Sequence, residues 1–183
     1  MLKRRVVVQA SIAGGLVAVT AGLAMSTHER LAPGPADDEG WRPIAWPFPR
    51  DAWPVGRAWR RESLEVYVRP KLGFCGNCDT GVVTDEEVDR VTDLDLLDER
   101  FAPMREGDFV RIGRFPGRSR LYRYALRNGA LRHAEGIAVS QKCDLVVAVI
   151  AGNLADERER SSAYRFLESA TVQGWLDQQL EGR

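Results

Sequence analysis

Hydrophobic and polar residues repeat with two periods along this chain, and the changes of period mark its parts. Leu64, Val66 and Val68 alternate with Glu65, Tyr67 and Arg69, the pattern of a half-buried strand, and Pro70 ends it. Thr84 followed by Glu87 makes a capping box, and Val88, Val91 and Leu94 then lie three apart, predicting a helix from Asp85 to about Leu97. Period two returns after Asp108. There a Pro116-Gly117 turn is expected, and Arg120, Tyr122, Tyr124 and Leu126 alternate with Leu121, Arg123, Ala125 and Arg127. Asn128-Gly129 between alternating runs predicts a hairpin with a type I′ turn, which needs positive φ at both residues. The run from Cys143 to Asn153 is nearly all apolar and reads as a more fully buried strand. Ala163, Phe166, Leu167 and Ala170, then Val172, Trp175, Leu176 and Leu180, give a helical tail with a break near Thr171. The sum is an α+β domain over residues 63–183, a small antiparallel sheet with helices on one face.

In the tail, Phe166-Leu167, Val172-Gln173 and Leu176 resemble the last helix of periplasmic solute-binding proteins. The likeness is confined to that helix, and a domain this short has no room for two lobes around a ligand. No ligand-binding role follows from it.

At the amino end, Lys3, Arg4 and Arg5 (residues 1–5) precede an uncharged run from Val6 to Met25. At ~1.5 Å per residue that run is about 30 Å long, the thickness of a bilayer core. Basic residues before it and Asp37, Asp38 and Glu39 after it predict an amino terminus inside and a periplasmic or extracytoplasmic domain on the inner membrane. Two readings of residues 6–25 stand, an uncleaved single-pass transmembrane anchor and a cleaved signal peptide, and the length of the run favours the anchor. Ala10, Gly14, Ala18 and Gly22 form a small-residue stripe through which two such helices would pair as a homodimer.

Residues 26–62 hold Trp41, Trp46, Trp53 and Trp59 among Pro43, Pro47, Pro49 and Pro54, a density that forbids a continuous helix. One reading is an extended strap whose indoles meet membrane headgroups or a partner. The other is an arm that buries the indoles in its own domain.

The chain of 183 residues has a formal net charge of zero, which argues against nucleic acid as a partner. Neutrality hides two blocks. Carboxylates crowd the stretch from Asp79 to Asp108, and Arg111, Arg114, Arg118, Arg120, Arg123, Arg127 and Arg132 follow with no acid among them. Counted from Asp93, the EF-hand positions for glycine and the bidentate glutamate hold Asp98 and Met104, so no calcium loop is predicted. Arg118, Arg120, Tyr122, Arg123 and Tyr124 are candidate contacts for an acidic partner or anionic headgroups, unless the acidic helix neutralises them first.

Candidate chemistry rests on Cys75 and Cys78, spaced C-x-x-C, and on Cys143. Outside the cytoplasm the favoured reading is a structural disulfide, either within the pair or from one of them to Cys143. A redox dithiol lacks its βαβ setting and has Asp79 beside it. A zinc site would need Cys75, Cys78, His133 and Cys143, which lack the short spacing of zinc motifs. Neither a G-x-S-x-G elbow nor a second histidine near His133 suggests a catalytic set, and no cofactor is expected. The predicted function is a membrane-anchored, non-catalytic accessory or assembly subunit that binds a protein complex. The alternative is a thiol-disulfide oxidoreductase or thiol-based metal carrier using Cys75 and Cys78.

Overall fold

The structure, a computed structural model, describes residues 34–49, 51–73, 81–82 and 84–181. The expected anchor or signal segment and the C-x-x-C loop lie outside these residues. Among the described residues no helix is long and apolar enough to cross a membrane.

Eight strands form one antiparallel sheet: β1 (Arg42–Ile44), β2 (Arg57–Arg61), β3 (Leu64–Lys71), β4 (Ala102–Pro103), β5 (Asp108–Ile112), β6 (Phe115–Ala125), β7 (Leu131–Gln141) and β8 (Asp144–Gly152). Their order is β1-β2-β3-β8-β7-β6-β4, with β5 also paired to β6. The helices are α1 (Asp85–Val91), α2 (Leu94–Leu97), α3 (Glu157–Leu167) and α4 (Ala170–Glu181).

Alternation along the strands decides which residues meet which helix. Val66, Val68, Ile137, Val139, Val146, Ala148 and Ile150 share one face and pack on Phe166 and Leu167 of α3 and on Val172, Trp175 and Leu176 of α4. Tyr67, Val149, Ala134 and Tyr122 share the opposite face and pack on Leu94 of α2, while Ala138, Leu145 and Val147 pack on Val88 and Val91 of α1. The α+β class is correct, but the helices cover both faces, not one. The physical reason is β8, which is apolar at successive positions and so has two faces to remove from water.

The tryptophan segment belongs to this sheet. Its β1 and β2 extend the sheet from β3 with continuous antiparallel register, Arg42↔Arg60 and Trp59↔Val66 among the pairs. Trp41 is 1% exposed and stacks on Phe166 with centroids 4.3 Å apart, and Trp59 lies edge-on to the same ring at 5.3 Å. Trp46 folds over the opposite face against Phe48, at 4.9 Å, and sits so close to Gly56 that a Cβ there would come within 2.3 Å of its ring.

Three local expectations change. The helix from Asp85 keeps its capping box, with N–H donation from Glu87 to Thr84 Oγ1 at 3.3 Å and from Thr84 to Glu87 Oε2 at 3.0 Å. It stops at Val91, because Thr92 turns extended and its hydroxyl donates to the Val88 carbonyl at 2.8 Å. The turn placed at Pro116-Gly117 falls instead at Gly113-Arg114, where Gly113 takes φ 57°. Pro116 and Gly117 lie inside β6, and Gly117 is required there because a Cβ would come within 2.0 Å of the Ala138 carbonyl oxygen. The β6–β7 hairpin forms, yet only Gly129 has positive φ, 81°, and Leu126 N–H donates to Ala130 O at 2.8 Å. That is a three-residue loop with a left-handed glycine, which needs no strained asparagine.

Replacing Trp41 by Ala should destabilise the domain by about 3–5 kcal/mol. Urea unfolding of the variant measures this, and an unchanged midpoint would return the segment to a linker.

Candidate functional site

The acidic helix and the basic sheet meet. Asp85 and Asp89 lie on α1, facing β6. Arg118 Nε donates to Asp85 Oδ1 at 2.5 Å, Arg120 Nη1 donates to Asp89 Oδ2 at 2.6 Å, and the Tyr122 hydroxyl donates to Asp89 Oδ1. The Gly107 N–H adds a bond to Asp85 at 3.0 Å. Burial pushes the Asp85 carboxyl up, but the Arg118 bond, the Gly107 N–H and the charges of Arg118 and Arg120 outweigh it and hold the group below its ordinary range. Burial first, then the bond to Asp89, raises the Tyr122 phenol well above its ordinary range.

Other charges are committed in the same way. Glu135, fully buried on β7, accepts from Arg160 Nε and Nη2, both at 2.7 Å, and from the Tyr164 hydroxyl at 2.6 Å. Burial and the Glu135 charge hold the Tyr164 phenol above its usual range. Arg69, 2% exposed, pairs with Asp51 and with Asp93, while Lys71 Nζ donates to Asp93 at 2.8 Å and to the last helical carbonyl, Val91 O, at 2.7 Å. The ammonium also complements the negative end of α1. These pairs lock strands to their covering segments. Sequence reasoning missed them. Arg69 and Glu135 sit in alternating runs where a polar residue reads as solvent-facing.

The basic residues beyond α1 differ. Arg123, Arg127 and Arg132 are exposed at the β6–β7 tip, and none has an acidic partner among the described residues. In register, Arg123 lies opposite His133 and Tyr124 opposite Arg132. Tyr124 packs edge-on to Phe101 at 4.8 Å, with the Arg100 guanidinium 4.4 Å from its ring centroid. Beside the tip a cleft of about 280 Å³ is lined by Glu65, Asp98, Phe101, Tyr124, Arg132 and His133. Its carboxylates are already bonded. Glu65 accepts from Arg60 Nε at 2.8 Å and the Tyr67 hydroxyl at 2.5 Å, and Asp98 from Arg100 Nη2 at 2.6 Å. Among the described residues, the donors of this cleft without a partner are Arg132 and His133, which suit an incoming carboxylate.

Of the tryptophans, Trp41 and Trp59 are core residues, and Trp46 and Trp53 are half-buried. Trp41, Trp59 and Trp46 pack in the domain's own apolar clusters.

Cys143 lies in the turn between β7 and β8, while Cys75 and Cys78 lie outside the described residues. On the near side of the C-x-x-C loop, Gly73 N–H donates to Asp144 Oδ1 at 2.6 Å. On the far side, Val82 N–H donates to Ser140 Oγ at 3.0 Å. The zinc set fails on geometry. His133 and Cys143 stand at opposite ends of β7, which at ~3.4 Å per residue sets them roughly 27 Å apart or more. No group of metal-ligating side chains forms among the described residues.

Comparison of the chain with protein-family models, with curated proteins and with solved structures finds no match.

Because the Asp85 carboxyl is depressed in the folded state, its contribution to stability is complete above the ordinary value, 3.8, and is lost as pH falls below it. Asp85→Asn should cost on the order of 1–3 kcal/mol at neutral pH and flatten the acid limb of stability. Thermal midpoints from pH 7 to pH 3 test this, and an acid limb as steep as wild type would remove Asp85 as a cause.

Proposed function

We propose that this protein is a membrane-anchored, extracytoplasmic accessory subunit that docks an acidic partner protein through the β6–β7 tip. The observation that carries the reading is the division of the arginines. Arg118 and Arg120 are neutralised by α1, whereas Arg123, Arg127 and Arg132 project beyond it without acids. Exposed like charges grouped at one tip steer association and set its orientation, and the cleft beside Arg132 and His133 accepts a carboxylate from the partner.

Charge reversal of Arg123, Arg127 and Arg132 together to Glu should weaken association by about tenfold or more at low salt, and wild-type association should fall as salt rises. The full chain is isolated from membranes with a photo-crosslinker at the exposed position 128, in wild-type and reversed forms. Equal crosslinking of the same partner by both forms would sink the reading.

The same proposal takes the C-x-x-C loop as a staple. Both flanks of the loop are bonded to the end of the β7–β8 hairpin that carries Cys143, which favours pairing of Cys75 or Cys78 with Cys143. On the chain-entropy model, closing a loop of roughly 65–70 residues contributes about 4 kcal/mol. Peptide mapping without reductant should link the Cys143 peptide to the one containing Cys75 and Cys78, leaving one thiol. A readily reduced Cys75–Cys78 pair would instead favour the oxidoreductase alternative.

A further inference from the structure

We propose that two copies of this chain join edge to edge through β5, continuing the sheet across a two-fold axis at Val110. Strand β5 pairs with β6 on one side and with no strand on the other among the described residues. The other marginal strands are blunted. β1 has three residues and contains Pro43, and β4 has two and contains Pro103. β5 has five residues and no proline, the kind of margin that natural sheets otherwise cover.

The hairpin geometry sets which groups face outward. Ile112 and Phe115 close the two-residue Gly113-Arg114 turn. In such a hairpin the closing pair exchanges both hydrogen bonds, so Ile112, Val110 and Asp108 direct their main-chain groups to β6. Phe109 and Arg111 direct theirs away from the sheet. An antiparallel copy centred on Val110 sets Phe109 opposite the partner's Arg111 and Arg111 opposite the partner's Phe109. Every outward group then finds its complement, in about four main-chain hydrogen bonds.

Other registers do worse. Centring on Arg111 sets two like charges opposite each other, and centring on Phe109 pairs Arg111 with a residue beyond the strand.

The side chains agree with the Val110 register. Phe109 is 74% exposed, the most exposed of the described large apolar residues, and the Arg118 guanidinium lies 5.0 Å from its ring centroid. In the pair each phenyl ring lies between Arg118 of its own copy and the partner's Arg111, a cation on either side of an otherwise wetted ring. Extending the register brings Glu106, whose side chain is 89% exposed, toward the partner's Arg114, of opposite charge.

The test uses the full chain in detergent and in native membranes. Val110→Cys places two thiols at a non-hydrogen-bonded pair, with Cα atoms about 4.5 Å apart, within disulfide reach. Mild oxidation of Val110→Cys should give a dimer linked through position 110, identified by peptide mapping, and neither wild type nor Asp108→Cys should give a link between the two β5 strands. Phe109→Glu should raise the dimer dissociation constant at least tenfold in sedimentation, with the circular dichroism of the fold retained. A wild-type chain that stays monomeric at all concentrations overturns the proposal. So does a dimer that survives Phe109→Glu and leaves Val110→Cys unlinked, which would move the two-fold to the stripe of Ala10, Gly14, Ala18 and Gly22. The arginine-tip reversal leaves this edge intact, so the two proposals fail separately.

Discussion

Burial of β8 on both faces is the constraint from which the other features of the domain follow. From Leu145 to Ile150 every residue of this strand is buried, and its neighbours β3 and β7 are buried beside it. A sheet with two apolar faces must be covered twice. The carboxyl-terminal helices cover one face. The other is assembled from short pieces, α1, α2 and the turns around Trp46 and Phe48, none of which buries enough surface to be stable alone. Assembly from pieces brings charged residues to the seams. Arg69 and Lys71 of β3 meet Asp51 and Asp93, one from each covering segment, and each pair pins a piece to the sheet. Removing one partner would leave a charge desolvated and unmatched, so these bonds specify the arrangement more than they add to its stability.

Lengths decide where charge is left over. The seven residues of α1 reach about 10 Å at helical rise, while the eleven residues of β6 reach roughly 37 Å. A short acidic helix lying on a long basic strand can neutralise only part of it. Arg118 and Arg120 fall under the helix, and Arg123, Arg127 and Arg132 fall beyond it. A net charge of zero thus conceals an internal neutral contact and a locally basic tip. At the other end of the same strand, the turn at Gly113-Arg114 folds β5 back as a margin with Phe109 in water.

Much of the architecture was legible along the chain. The alternation of β3, the capping box of Thr84 and Glu87, the Asn128-Gly129 hairpin, the apolar β8 and the two-part helical tail are local signals set by side-chain period and backbone preference. What misled were residues whose role depends on a distant neighbour. Pro116-Gly117 resembles a turn, but Gly117 is small because Ala138 approaches it, and the proline sits where the β6–β7 ladder has not begun. The tryptophans at 41 and 59 look like exposed aromatics between prolines until Phe166, more than a hundred positions later, is placed against them.

The sequence by itself determined the element types, the α+β class, the opposed charge blocks and the proximity of Cys75 to Cys78, since each depends on residues close together in the chain. Tertiary structure alone decided that the sheet is covered on both faces and that β1 and β2 belong to it. It also placed His133 and Cys143 at opposite ends of β7, and left some arginines without acids. Those are questions of which distant segments share a face, and the answers come from strand register and helix length, quantities that no local pattern of side chains encodes.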